Sequence, residues 1–148
     1  MVITGSGIID LGTLSSAAYS SGTVNIEVGT NAVNGAVVTA KSTNGGLQNA
    51  SDSGQVLNAL AVDGSTDSYR FASALVAATD STITGFAQSA TLSTEVSDTT
   101  TSHVLYTSNK PQALTGTDDF SFTVSAQPNA QSPAGNYADV VAVSVVGS

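Results

Sequence analysis

Alternation with a period of two runs through much of this 148-residue chain. Val24, Ile26 and Val28 alternate with Thr23, Asn25 and Glu27, and Phe120, Phe122, Val124 and Ala126 alternate with Ser121, Thr123 and Ser125. Successive side chains of a strand point to opposite faces, so each run reads as a strand with one buried and one wet face. Residues 136–146 read NYADVVAVSVV. There Tyr137, Val141, Val143 and Val145 share one face, and Val140, Ala142 and Val146 share the other. Apolar residues on both faces predict a central strand, or one covered on both sides. Weaker strands are predicted at 36–40, 83–86, 90–96 and 104–107.

Turn signals separate these runs. Asn34-Gly35, Asn44-Gly45-Gly46, Asp63-Gly64, Gly116-Thr117-Asp118 and Pro133-Ala134-Gly135-Asn136 all hold residues that turn cheaply. Short strands punctuated at roughly 8–12 residues mark a sandwich or barrel. Two stretches carry a different spacing. Residues 53–62 place Val56, Leu57 and Leu60 at i, i+1, i+4, and residues 68–79 place Phe71, Leu75 and Ala78 at i, i+4, i+7. Either reads as a short helix capped by Ser53 or Ser68, and equally as a strand beside a glycine turn. The fold class expected is therefore all-β, an immunoglobulin-like or jelly-roll β-sandwich, with at most one short helix within 53–79. Nothing divides the chain, so 1–148 reads as a single β-sandwich domain.

Composition sharpens that picture. The chain holds 22 Ser and 19 Thr, only 9% charged residues and no Cys. Mapped onto the strands, much of the Ser and Thr falls opposite the apolar positions. It forms the outward face of a sheet rather than a low-complexity tail. Three basic against eleven acidic residues give a net charge of −8. A nucleic-acid binder needs Lys and Arg to displace counterions from phosphates, and Lys41, Arg70 and Lys110 do not supply that. No nucleic-acid partner is expected. Without Cys there is neither a disulfide framework nor a thiolate metal site.

No apolar run approaches the ~18 residues of a membrane-spanning helix, so no membrane span is expected. The opening residues MVITGSGIIDLG lack a basic region and a continuous apolar core, so they do not read as a signal peptide. Cytoplasmic domains average about 25% charged residues. A Ser/Thr/Gly/Ala/Val-rich, Lys-poor chain instead fits a secreted, extracellular or cell-surface location.

Two runs carry a resemblance. Ser132-Pro133-Ala134-Gly135-Asn136-Tyr137-Ala138-Asp139-Val140, followed by VAVSVV, resembles the closing strand of secreted prokaryotic pilin-like and coat-like immunoglobulin-type domains, the spore coat U-type among them. Thr30-Asn31-Ala32-Val33-Asn34-Gly35 is similar to a surface-protein hairpin of that kind. In general character the chain is also similar to TasA/camelysin and archaeal bundling-pilus filament subunits. The resemblance implies a β-sandwich that assembles outside the cell. Read physically, Gly135 permits a sharp entry, Tyr137 can bury its ring while its hydroxyl bonds backbone, and Asp139 can accept N–H bonds from the turn.

Candidate chemistry is sparse. His103 is the only histidine, and no G-x-S-x-G elbow exists to expose a nucleophilic serine. His103 reads as a strand-edge residue, and no enzyme activity is expected. Asp63-Gly64-Ser65-Thr66-Asp67 sets oxygen ligands at alternate positions, and Asp118-Asp119 pairs two more. Either suits a surface calcium ion, or simply a solvated turn, since the glycine and bidentate glutamate of an EF-hand are missing. Calcium at Asp63, Asp67, Asp118 or Asp119 is the one cofactor the sequence admits. Asn49-Ala50-Ser51 is the only N-glycosylation sequon, making Asn49 the N-linked candidate.

Residues 1–14 stand apart. Val2, Ile3, Gly5, Gly7, Ile8, Ile9 and Leu11 combine apolar knobs with glycines, and Ile9 and Leu11 share a face with Gly5 and Gly7. Such a strand can complete a neighbour's sheet, giving a head-to-tail contact that propagates. It can also pair within its own domain. The function expected is a structural subunit of an extracellular filament, pilus or coat, a homo-polymer joined by β-strand complementation. The alternative is a monomeric or small-oligomer binding module, such as an adhesin domain or a virion decoration protein.

Overall fold

Strands alone, with no helix, make up the regular structure of the described residues in the computed structural model, which are 2–4, 7–57, 67–76, 94–95, 99–116 and 118–148. In chain order they are β1 (Val2–Thr4), β2 (Ser20–Glu27), β3 (Ala36–Ser42), β4 (Leu47–Asn49), β5 (Asp52–Leu57), β6 (Ser68–Leu75), β7 (Thr94–Glu95), β8 (His103–Thr107), β9 (Phe120–Gln127), β10 (Tyr137–Ala138) and β11 (Val141–Gly147). They form three antiparallel sheets, ordered β1-β2-β9-β6-β7, β11-β3-β8 and β10-β4-β5. The all-β sandwich expected from the alternation is the architecture found.

β9 lies at the centre of the large sheet, between β2 and β6. Its inward residues Phe120, Phe122, Val124 and Ala126 are all buried. Phe122 meets Phe71 of β6 edge to face at 5.2 Å, and Tyr106 of β8 stacks on Phe120 at 5.1 Å. The second contact runs between sheets, so the β11-β3-β8 sheet packs face to face on the large one. Such aromatic pairs add about 0.5–1.5 kcal/mol each beyond their burial. Ser73 Oγ of β6 donates to the Leu105 carbonyl of β8 at 2.8 Å, a polar tie across the same interior. His103, read as a strand-edge residue, starts the edge strand β8, its ring edge-on to Phe71.

The helical spacing at 68–79 and at 53–62 resolves into strand over 68–75 and 53–57. β6 pairs with β9 over all eight residues, from Ser68↔Gln127 to Leu75↔Phe120. The reason lies in the arithmetic of the pattern. Phe71 and Leu75 are four apart, and an even spacing satisfies a two-residue period as well as a helical one. The long partner β9 then decides. Residues 53–57 belong to β5, and residues 58–66 and 77–79 lie outside the described residues, as does the strand expected at 83–86. The strands expected at 36–40 and 104–107 are β3 and β8, and of 90–96 the residues Thr94 and Glu95 are described as strand.

Two further expectations are corrected. The run at 136–146 is not a central strand: β11 is the edge of its sheet, and Val140 and Val146 are largely exposed. Glu27, assigned to a wet face by alternation, is buried at 6% exposure. Residues 115 and 116 close over it: its Oε1 accepts the backbone N–H groups of Thr115 and Gly116, the latter at 2.7 Å. Those donors replace the water the carboxylate gives up. Gly35 turns the chain into β3 with φ 82°, and a Cβ there would stand 2.2 Å from the Ser108 carbonyl oxygen, so only glycine fits.

Candidate functional site: an open groove between the sheets

The two layers do not close along one side. Between β2 of the large sheet and β11 of the small one lies a cavity of about 930 Å3. Its walls follow from the alternation of its strands. Inward residues Val24, Phe122 and Val124 line one side, and Leu47, Val141 and Val143 line the other. Residues 7–14 run through this opening.

That segment belongs to no sheet, yet it is anchored. Ile9, Leu11 and Leu14 pack against the core, while Ile8 points out at 78% exposure. The anchor point is Gly22, on the inward face of β2. A Cβ at that position would stand 2.5 Å from Ile9 Cγ2 and 3.2 Å from the Asp10 carbonyl oxygen. The missing side chain is the slot that Ile9 fills. A lone glycine inside the alternating run Ser20–Glu27 is a sequence signal of such close approach, and it was the one available pointer to this contact. Asp10 Oδ1 accepts the Gly12 N–H at 2.8 Å, turning the segment away after Leu11.

The far wall has a polar clasp. Tyr69 Oη, from β6, donates to Asp139 Oδ2 at 3.0 Å, and the Asn44 N–H donates to Asp139 Oδ1 at 3.3 Å. Burial raises the Asp139 carboxyl above its ordinary range, against the opposing pull of bonds from Ser42, Tyr69 and two backbone N–H groups. Burial and the adjacent Asp139 charge raise the Tyr69 hydroxyl as well, so it serves as a fixed donor. Tyr137 completes the wall: its hydroxyl donates to the Pro133 carbonyl at 2.7 Å. The role read from the sequence for Tyr137 is present, whereas Asp139 accepts from Asn44 in the β3–β4 turn rather than from its own turn.

The other singled-out residues are dispersed. Val2 and Ile3 pair with Glu27 and Ile26 of β2 within the same chain, Gly5 lies outside the described residues, and Gly7 is exposed. Asp63 is outside them too. Asp67 Oδ1 accepts from the Ser132 hydroxyl at 2.6 Å and from the Asn129 N–H, pinning that loop. Asp118 Oδ2 accepts from Asn25, and Asp119 accepts from the Val28 N–H at 2.6 Å and from Gln112. These carboxylates act as loop clamps, and among the described residues no three His, Asp or Glu side chains are placed to hold a metal ion. Burial raises Asp119 above its ordinary range. Asn49 is 4% exposed, its Oδ1 accepts the Ser51 N–H, and its Nδ2 lies where a Cβ on Gly135 would come within 2.6 Å. A glycan on that nitrogen and this packing exclude each other. Among the described residues no helix is long and apolar enough to cross a membrane.

Comparisons with protein-family models, with curated proteins and with solved structures find no match to this chain.

Proposed function

We propose that this protein is an extracellular structural subunit of a cell-surface filament, pilus or coat, joined to its neighbours by strand complementation. One observation carries the reading: residues 7–14 occupy a groove between the sheets without belonging to either. A segment held by a few side chains, with no ladder of backbone bonds, leaves its groove at far lower cost than a sheet strand does. Vacated in one copy, the groove accepts the identical segment of another, and the exchange propagates when it runs head to tail. The surface suits close packing, since few charged side chains confront one another between copies.

Deleting residues 2–11 tests this. The expected result is filaments of the parent chain under negative-stain electron microscopy and none of the deletion variant. Filaments unchanged by the deletion overturn the mechanism. A parent chain that light scattering finds monomeric at every concentration favours the binding-module reading.

A further inference from the structure

Among the described residues, five strand edges are guarded and one is not. Edge strands expose unpaired N–H and C=O groups, and natural proteins protect them with short length, bulges, charge or proline. β1, β7 and β10 are three, two and two residues long. β5 begins at Asp52 and its register against β4 shifts between Gln48 and Asn49. β8 pairs across a register shift between Val38 and Thr39. β11 carries none of these protections. It runs seven residues, VAVSVVG, with no charge and no proline, in unbroken register with β3 from Val141↔Ser42 to Gly147↔Ala36.

The direction of its free groups follows from the ladder. Thr43 N–H donates to the Val140 carbonyl, and Ser148 N–H donates to the Gly35 carbonyl, both at 2.9 Å. Bonded pairs alternate along an antiparallel ladder, so the even-numbered residues of β11 face β3. The N–H and C=O groups of Val141, Val143 and Val145 then point away from it. The side chains of Val141 and Val143, on the inward face, line the groove. A strand added at this edge places alternate side chains over that cavity.

We propose that the free edge of β11 is the acceptor, and that the strand it takes is residues 7–11 of a second copy, with Ile9 and Leu11 in the groove. This rests on the filament reading above and names the edge it uses. Five extended residues span about 17 Å, the reach of Val141 to Val145. Ile9 and Leu11 are two apart, matching the pleat of the acceptor, and Gly7 continues their face. Asp10, between them, falls on the outward face, the one that carries Lys41 opposite Ala142. Lys41 is the single Lys or Arg of β3, β8 and β11. The incoming strand thus gains backbone bonds from the edge, burial from the cavity and a cation on the side where its carboxylate lies.

The test is Val145→Pro in the full-length chain, with Val145→Thr as control. Proline removes an outward N–H and leaves the bonds to β3 in place. The expected result is a native far-ultraviolet spectrum with the concentration needed for assembly raised about tenfold or more, while the threonine variant assembles like the parent. Val145→Lys, which charges the edge without touching the backbone, decides the matter if the proline variant does not fold, and it is expected to block assembly to a similar degree. Parental assembly of a folded Val145→Pro, or of Val145→Lys, overturns the assignment of β11. If deletion of residues 2–11 still abolishes filaments in that case, the filament reading survives with another acceptor. A parent chain that never assembles overturns both.

Discussion

The strands Phe120–Gln127 and Val141–Gly147 alternate apolar and small residues in the same way, yet one is the centre of the molecule and the other its open side. β9 is flanked by β2 and β6, and its inward residues Phe120, Phe122, Val124 and Ala126 are all 4% exposed or less. β11 pairs only with β3, its inward Val141 and Val143 are half-buried, and Val145 is 36% exposed. Strand alternation specifies a face, and neighbours specify how much of that face is covered. Aromatic bulk separates the two: Phe120 reaches across to Tyr106 of the facing sheet and Phe122 packs on Phe71 of the neighbouring strand β6, whereas the valines of β11 stop short of the opposite sheet and leave a groove.

The contrast breaks most visibly at Phe122. Phe122→Ala should cost about 3–5 kcal/mol in denaturant unfolding, the range for a large side chain truncated in a core. Gly22→Val should follow. Its side chain displaces Ile9 from the slot on β2, at about 1–3 kcal/mol for overpacking, and limited proteolysis should then cut within residues 7–14 of a chain that is otherwise folded. Val143→Ala, the matching truncation on the open side, should cost only about 1 kcal/mol, because its two lost carbons are half-buried. A Val143→Ala loss as large as that of Phe122→Ala would mean the groove is closed in solution.

Acid should sharpen the comparison from the groove side. Burial raises the folded-state Asp139 carboxyl above its unfolded value, and Asp119 shifts in the same direction for the same reason. A raised group binds its proton more tightly in the folded chain, so its contribution is fully present at low pH and is lost as pH rises through the folded value. Denaturation midpoints should therefore rise between neutral pH and the ordinary carboxylate range. Asp139→Asn should reduce that rise. The smallest effect belongs to the outer face of the large sheet, where Thr23 and Thr123 share a hydroxyl bond of 2.8 Å in the open. Thr23→Val should change stability by about 0.5 kcal/mol or less, since exposed cross-strand pairs contribute little.

Some of this was legible in residue order. β3 and β9 follow their alternation, as does β2 up to Glu27, whereas β8 buries the consecutive Leu105 and Tyr106; Tyr137 bonds back to Pro133 as its turn implied. The groove was not legible, because its parts come from distant segments. Gly22 is a lone glycine until Ile9 is placed against it, and Leu47 belongs to a three-residue strand with no periodicity to detect. Asp139 faces Tyr69 from 70 residues away. The sequon at Asn49 and the carboxylates at Asp67, Asp118 and Asp119 were legible as types only. Packing made the first a buried amide and the others loop clamps.

By itself the order of residues determined that this chain is all-β, because a period of two leaves each strand only one way to hide its apolar side. It also determined a weakly charged, hydroxyl-rich exterior, since Ser and Thr occupy the alternate positions. Only tertiary structure decided which strands became centre and which became edge. That choice depends on long-range pairing, which local periodicity does not encode: the same alternation serves β9 between two partners and β11 beside one.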